Sequence, residues 1–225
     1  MKLQDIDFDG KKLKFSLEPY FGSYDQVRKQ IQEEGLRPAT FREVVALLFA
    51  NEGNYEGERS NIVRAFKSHP VFGYTALEQR YQDKKYSLVE QDNPKISRGR
   101  IASRGDEKII EGEDQDLRSK YYASLGKSKW TKLVSNSSFL YNNNAGAVIP
   151  IVTYKREVEQ LSSEERRPYS DDWGRDKVDV TPARYREDEY NLFKEARLEN
   201  GELYLENLPI RGVSFGIKKV KGGEK

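Results

Sequence analysis

Acid–base chemistry at neutral pH draws first on histidine, and this sequence holds only one, His69. It stands beside Pro70 in an aromatic, strand-like stretch, HPVFGYTALE, where a lone imidazole reads as a structural residue. There is no cysteine, which removes thiolate nucleophiles, disulfides, thiolate metal sites and iron–sulfur clusters together. A metal site would need carboxylates. Asp171 with Asp172, or Asp9 with Asp25, are the available pairs, but no calcium-loop spacing surrounds them and paired acids in loops are ordinarily solvated. The GKSKW stretch at 126–130 imitates the end of a phosphate loop, yet Tyr121 stands where the required upstream glycine would be. The serines lack a nucleophile-elbow context, and no spacing nominates two glutamates as a hydrolytic pair. The sequence therefore assigns no catalytic residue, no metal ligand and no cofactor.

What it does concentrate is the vocabulary of recognition. SNSSFLYNNN (135–144) and YSDDWGRD (169–176) are rich in Tyr, Trp, Ser, Asn and Asp. Aromatic side chains there can bury area at low entropic cost while short polar groups adapt their hydrogen bonds. The same residues also favour turns, so a plain loop accounts for either cluster. As a binding surface, Tyr169, Asp171, Asp172, Trp173 and Arg175 would form one edge, and Tyr185, Arg186, Tyr190 and Tyr204 the remainder. The partner expected of such a surface is another protein.

Charge balance argues against nucleic acid. Lys+Arg 39 against Asp+Glu 37 leaves a net +2 in 225 residues, and the basic tail KKVKGGEK is short enough to be simply solvated. Aromatics at 12% argue for a folded chain. No run approaches a membrane span and no signal-peptide core follows Met1, so the expectation is no membrane insertion and a cytoplasmic site of synthesis, with surface display by another route left open.

The elements that must position any surface are clearest near the start. KKLKFSLE alternates Leu13, Phe15 and Leu17 with polar residues, and Asp9-Gly10 predicts a tight turn back to a strand holding Ile6 and Phe8. Ser23 and Gln26 open a helix with Tyr24, Val27 and Ile31 in its stripe, closed by Gly35. In LRPATFREVVALLFAN, Thr40 and Glu43 form a second capping box ahead of Val44, Val45, Leu47, Leu48 and Phe49, a broad apolar surface for a deeply buried helix. A short helix with Ile62, Val63 and Phe66, then strands over HPVFGYTALE and KKYSLVEQDNP, follow. Residues 95–119 are dominated by charge and are expected to be a surface excursion, with at most a short hairpin. An apolar run ends at Val152; YKREVEQL has helical spacing through Tyr154, Val158 and Leu161, RRPYSDDWGRDKVDVTP is loop-like, and ARYREDEYNLFKEARLENG fits a helix or a long strand. Asn200-Gly201 predicts a hairpin, and Val213, Phe215 and Ile217 alternate in a terminal strand. The expectation is one α+β domain over 1–225, with a mostly antiparallel sheet.

GLRPATFREVVALL resembles the helix-opening segment of formylglycine-generating-enzyme-like and related C-type-lectin-like domains, through Gly35, Leu36, Arg37, Thr40 and Glu43. VFGYTALE is similar to that group's aromatic strand, and RGVSFGIK to its closing strand. The resemblance covers the first third and the last dozen residues. It implies paired N- and C-terminal strands, two helices near the N-terminus and long irregular loops. It does not bring the oxidase activity, which depends on a cysteine pair, and lectin-type sugar-binding triplets are absent. The branch it resembles more is the variable proteins of diversity-generating retroelements, which imply an exchangeable ligand-binding surface; no compact variable block stands next to the end here. Two other readings remain: a virion or cell-envelope structural subunit, and a hydrolase using two pocket carboxylates about 5–9.5 Å apart.

Overall fold

The computed structural model describes residues 2–51, 60–124, 147–156, 176–186, 191–194, 197–199, 202–204 and 210–218. The chain opens with β1 (Leu3–Phe8), β2 (Lys11–Ser16), β3 (Tyr20–Gly22), α1 (Tyr24–Glu33), β4 (Leu36–Pro38) and α2 (Phe41–Asn51). After α3 (Ser60–Ser68) come β5 (Val71–Phe72) and the hairpin of β6 (Thr75–Gln82) with β7 (Lys85–Asp92). Next are β8 (Ile96–Ser97), β9 (Arg100–Ile101), β10 (Lys108–Gly112) and α4 (Asp114–Ser124). The remainder is β11 (Val148–Arg156), β12 (Asp176–Arg186), β13 (Asn191–Lys194), β14 (Arg197–Glu199), β15 (Glu202–Tyr204), β16 (Gly212–Ser214) and β17 (Gly216–Lys218). This is a mixed α+β fold with mostly antiparallel sheets. No helix among the described residues is long and apolar enough to cross a membrane.

Local chemistry explains the opening elements. Asp9 (φ 48°) and Gly10 (φ 74°) both take the left-handed region that a two-residue hairpin turn demands, and Phe8 pairs with Lys11 across it. The register sets Ile6 opposite Leu13. Gln26 Oε1 accepts the Ser23 amide at 3.0 Å to open α1, whose Tyr24, Val27 and Ile31 are buried. At α2 the capping box forms in both directions: Glu43 Oε2 accepts the Thr40 amide at 2.8 Å, and Thr40 Oγ1 accepts the Glu43 amide at 3.4 Å.

Two sheets carry the fold. The smaller runs β1-β2-β17-β4, so the last described strand lies beside the first hairpin, with Ile217 opposite Phe15. The larger, nine-stranded sheet runs β10-β7-β6-β11-β5-β16-β3, with β12 and β13 extending from β11. One face of it, with Leu77, Leu88, Val148 and Val152, packs with α2, α3 and α4 through Phe41, Leu47, Phe66 and Leu117. The opposite face, with Ala76, Val89, Ile149 and Ile151, packs with Tyr24, Val27 and Ile31 of α1 and with Ile101 of β9. Arg28 of α1 lies over the stacked rings of Tyr24 and Tyr74, 5.3 and 5.1 Å from their centroids, and donates to the Pro94 carbonyl at 3.3 Å.

Several expectations change. The terminal strand is broken at Phe215: β16 joins the large sheet and β17 the small one, so a single alternating run ties the two together. Tyr154 to Arg156 finish β11 rather than starting a helix, because the β-branched run before them is drawn into pairing with β5 and β12; residues 157–161 lie outside the described residues. Asp176 to Pro182, expected in a loop, belong to β12, where Val178 and Val180 keep the period of a strand. The segment that fitted helix or strand is strand wherever it is described, and Glu199 pairs with Glu202 across the predicted Asn200-Gly201 turn. The 95–119 stretch is more ordered than its charge implies: it builds the β8–β9 hairpin, adds β10 to the large sheet, and buries Ile101 and Leu117.

One of the tightest approaches in this framework is at Gly73, where an added Cβ would lie 2.4 Å from Phe41 Cα. Gly73→Ala must therefore move the backbone of α2 rather than a pliable side chain. It is expected to cost about 1–3 kcal/mol, measured as a lower midpoint in chemical denaturation.

Candidate functional site

The head of α2 gathers charged and polar groups from five elements. Arg37 comes from β4, Arg42 and Glu43 from α2, Thr75 from β6, Glu90 and Asp92 from β7, and Lys108 from β10. Strand alternation explains the convergence: Thr75 is paired with Asp92, Leu77 with Glu90 and Lys108 with Glu90, so these side chains share the sheet face that α2 covers. Arg37 grips Glu43 with two guanidinium nitrogens at 2.8 and 2.5 Å. Arg42 grips Glu90 in the same way, Nε to Oε1 at 3.1 Å and Nη2 to Oε2 at 2.8 Å, with Lys108 Nζ 3.8 Å from Oε2. Glu43 and Glu90 are buried, 6% and 5% exposed, so each carboxylate depends on its guanidinium partner.

Asp92 differs from both. It is exposed as a residue, but its Oδ1 is turned back to accept the hydroxyl of buried Thr75 at 2.6 Å, while Thr75 Oγ1 accepts the Phe41 amide at 3.0 Å. Burial of the carboxyl raises its pKa above the usual range, and the Glu90 and Glu43 carboxylates push the same way against the Thr75 hydrogen bond and Arg42. Burial, then the Arg42 guanidinium, draws the Lys108 ammonium below its usual range. The hydrogen bonds that Arg37 donates to Glu43 hold its guanidinium more firmly protonated than a free one.

On the opposite sheet face, Glu78 is 1% exposed and fastens the β8–β9 hairpin. It accepts from Arg80 at 3.0 Å, from Arg100, and from the Ile101 amide at 2.8 Å. Sequence reasoning found Glu43 only as a helix cap and missed Glu78, Glu90 and the arginine pairings. The signal was present as charges inside apolar runs: Glu78 after Thr75-Ala76-Leu77, Glu90 after Leu88-Val89, and Arg42-Glu43 at the head of α2. Only the cross-strand register tells which of them meet.

The paired arginines direct the chemistry of this layer. Both oxygens of Glu43 and both of Glu90 are committed to guanidinium nitrogens, which suits fastening rather than proton transfer to a substrate. His69 is exposed between α3 and β5, its ring edge-on to Phe21 at 5.0 Å. Among the described residues no group of three or more acidic or histidine side chains gathers to hold a metal ion.

The described residues hold only some of the proposed recognition residues. Tyr169, Asp171, Asp172, Trp173, Arg175 and Tyr190 lie outside the described residues. Tyr185 and Arg186 are the last two residues of β12, opposite Leu192 and Asn191, and Tyr204 ends β15 opposite Arg197. Asp176, where the chain returns from 169–175, begins the same β12, so it and Arg186 stand at opposite ends of an 11-residue strand, roughly 33 Å apart when extended. No protein-family model, curated protein or solved structure matches this chain.

Two outcomes test the layer. Glu43→Ala strands Arg37 and uncaps the Thr40 amide, and is expected to cost about 3 kcal/mol; Glu43→Gln, which keeps an acceptor, costs less, as denaturation midpoints will show. For Asp92 the folded carboxyl binds its proton more tightly than the unfolded one. Its contribution is therefore present at low pH and is lost as pH rises from the unfolded value of 3.8 through the raised folded value. Asp92→Asn should raise Tm at pH 7, and that gain should shrink as pH falls toward 4.

Proposed function

We propose that this chain is a binding protein, not an enzyme, in which an α+β scaffold presents loop residues to another protein. The observation that carries this is the β11–β12 ribbon. Over Ile151 and Val152, β11 is flanked by β5 on one side and β12 on the other; beyond Val152 its only described partner is β12, through to Arg156 opposite Asp176. The two ends of segment 157–175 are thus held side by side at the end of a nine-pair ladder. Trp173 stands three residues before that anchor and Arg175 immediately before it. A stiff stem under an aromatic-, serine- and aspartate-rich segment is a sound arrangement for recognition, because a paired ladder fixes where that segment leaves and rejoins the sheet.

The C-type-lectin-like reading of the scaffold, and its retroelement branch, belong to the same proposal. The pairing of β17 with β2, two helices early in the chain and the predominance of antiparallel strands support it. The arginine-bound carboxylates at the head of α2 favour a binding scaffold over a carboxylate hydrolase.

The test compares proteins retained by the immobilised chain and by its Trp173→Ala and Tyr190→Ala variants, quantified by mass spectrometry, with circular dichroism checking the fold. Truncating an aromatic anchor is expected to weaken a specific partner by about 1–4 kcal/mol, roughly fivefold or more in affinity. Folded variants that retain the same proteins in the same amounts would overturn the surface map. Sequencing the flanking DNA tests the retroelement branch: a near-copy of the gene's 3′ portion, differing at template adenines and beside a reverse transcriptase, is the expected finding.

A further inference from the structure

The hairpin of β8 and β9 pairs with neither larger sheet among the described residues, so side chains rather than a ladder hold it in place. Its root is held by Gln91, which is buried near the end of β7. Gln91 Oε1 accepts the Lys95 amide at 3.3 Å where the chain leaves, and Gln91 Nε2 donates to Asp106 Oδ1 at 2.9 Å where it returns. One side chain thus closes the stretch 95–106 into a compact loop. Strand β9 is held by Glu78, which accepts from Arg100 and from the Ile101 amide, while Arg80 donates to both Glu78 and the Ile101 carbonyl. The turn of the hairpin reaches further. Arg98 (φ 52°) and Gly99 (φ 71°) take left-handed backbone, and the Gly99 carbonyl accepts the Ala147 amide at 2.8 Å. Ala147 is the residue immediately before β11.

Little apolar burial backs these bonds. Within 95–106 only Ile101 is buried, in one cluster with Ala147 and Ile149, and Ile96 is half-buried against the same cluster. Opening would expose Ile101 and let water reach Glu78. A carboxylate and a guanidinium that separate into water leave no buried charge behind, unlike a pair broken by mutation. The head of α2 is different, because Phe41, Val44 and Leu47 there are all fully buried. Regions with few buried apolar contacts are the ones that open locally while the rest stays folded.

We infer that 95–106 is a strap, hinged at Gln91 and latched by Glu78, whose closure clips Ala147 and so fixes where the chain enters β11. The strap and Ala147 open and close as one unit, separately from the head of α2. This adds a conformational element to the scaffold and does not rest on what the loop segments bind.

The test is native-state amide hydrogen exchange of the full chain, followed by NMR. The Ala102 amide, bonded to the Lys95 carbonyl, and the Ala147 amide report the strap; those of Ala39 and Val44 report the head of α2. Ala102 and Ala147 are expected to share one opening equilibrium, roughly tenfold or more toward open relative to Ala39 and Val44. Glu78→Gln keeps the shape of the latch without its charge. It should raise exchange at Ala102 and Ala147 together by roughly tenfold or more and leave Ala39 and Val44 unmoved. Gly99→Ala reaches the same unit without touching the ion pairs. Its added Cβ has nothing within 4 Å, so the strain falls on the left-handed turn alone, and both strap amides should exchange roughly fivefold faster or more. Should Glu78→Gln fail to fold, Gly99→Ala still decides. Ala147 keeping its protection while Ala102 loses it in Gly99→Ala, or all four amides exchanging alike in the unaltered chain, would overturn the inference.

Discussion

Helix α2 begins where three distant parts of the chain meet, and backbone hydrogen bonds at 39–41 hold them there. The Ala39 amide donates to the Phe215 carbonyl at 3.0 Å, the Tyr74 amide donates to the Ala39 carbonyl at 2.9 Å, and the Phe41 amide donates to Thr75 Oγ1 at 3.0 Å. The break between the two C-terminal strands, the start of the β6–β7 hairpin and the first turn of the helix are therefore one junction. Gly73 is the residue that lets the hairpin approach so closely. The Phe41 amide, which the helix itself cannot satisfy, becomes a bond to β6, and the Ala39 amide just ahead of the helix is satisfied by the chain at Phe215.

The charged layer around this junction adds selectivity more than net stability. Replacing a buried ion pair by apolar packing is often neutral, whereas removing one partner is costly. Arg37–Glu43 and Arg42–Glu90 thus act as checks on register: a slip of β7 by one residue would carry Glu90 to the other face and leave Arg42 without its carboxylate. Glu78 does the same for the opposite face, where it is bonded to the β8–β9 hairpin through Arg100 and the Ile101 amide. Asp92, held by Thr75, is the member whose ionisation is disfavoured, first by burial and then by the Glu90 and Glu43 carboxylates.

This organisation separates what must be rigid from what can vary. Ser214 Oγ donates to the Phe72 carbonyl, and the Gly216 amide to Ser16 Oγ, so the C-terminal segment is pinned to both sheets. The β11–β12 ladder leaves that pinned centre as a stem whose far end has no described contact with β5 or β6.

Where structure is set by neighbours in sequence, the sequence alone was enough. The Asp9-Gly10 turn, both capping boxes and the buried stripe of α1 follow from contacts within a few residues. The site was legible only as composition: Tyr185 and Arg186 could be named, but not their position at the far end of β12 from Asp176. The spacing of Tyr154, Val158 and Leu161 satisfied a helix, yet Tyr154 lies in a strand, because pairing partners remote in sequence compete with local periodicity. The charged 95–119 stretch hid its buried members for the same reason: its few apolar residues suffice once Ile101 and Leu117 find opposite faces of an existing sheet. Sequence by itself determined the α+β class, the early helices and the lack of cysteine chemistry. Only the tertiary structure decided which carboxylate meets which arginine and where the sheet edges fall, since cross-strand register depends on pairings between residues far apart in the chain.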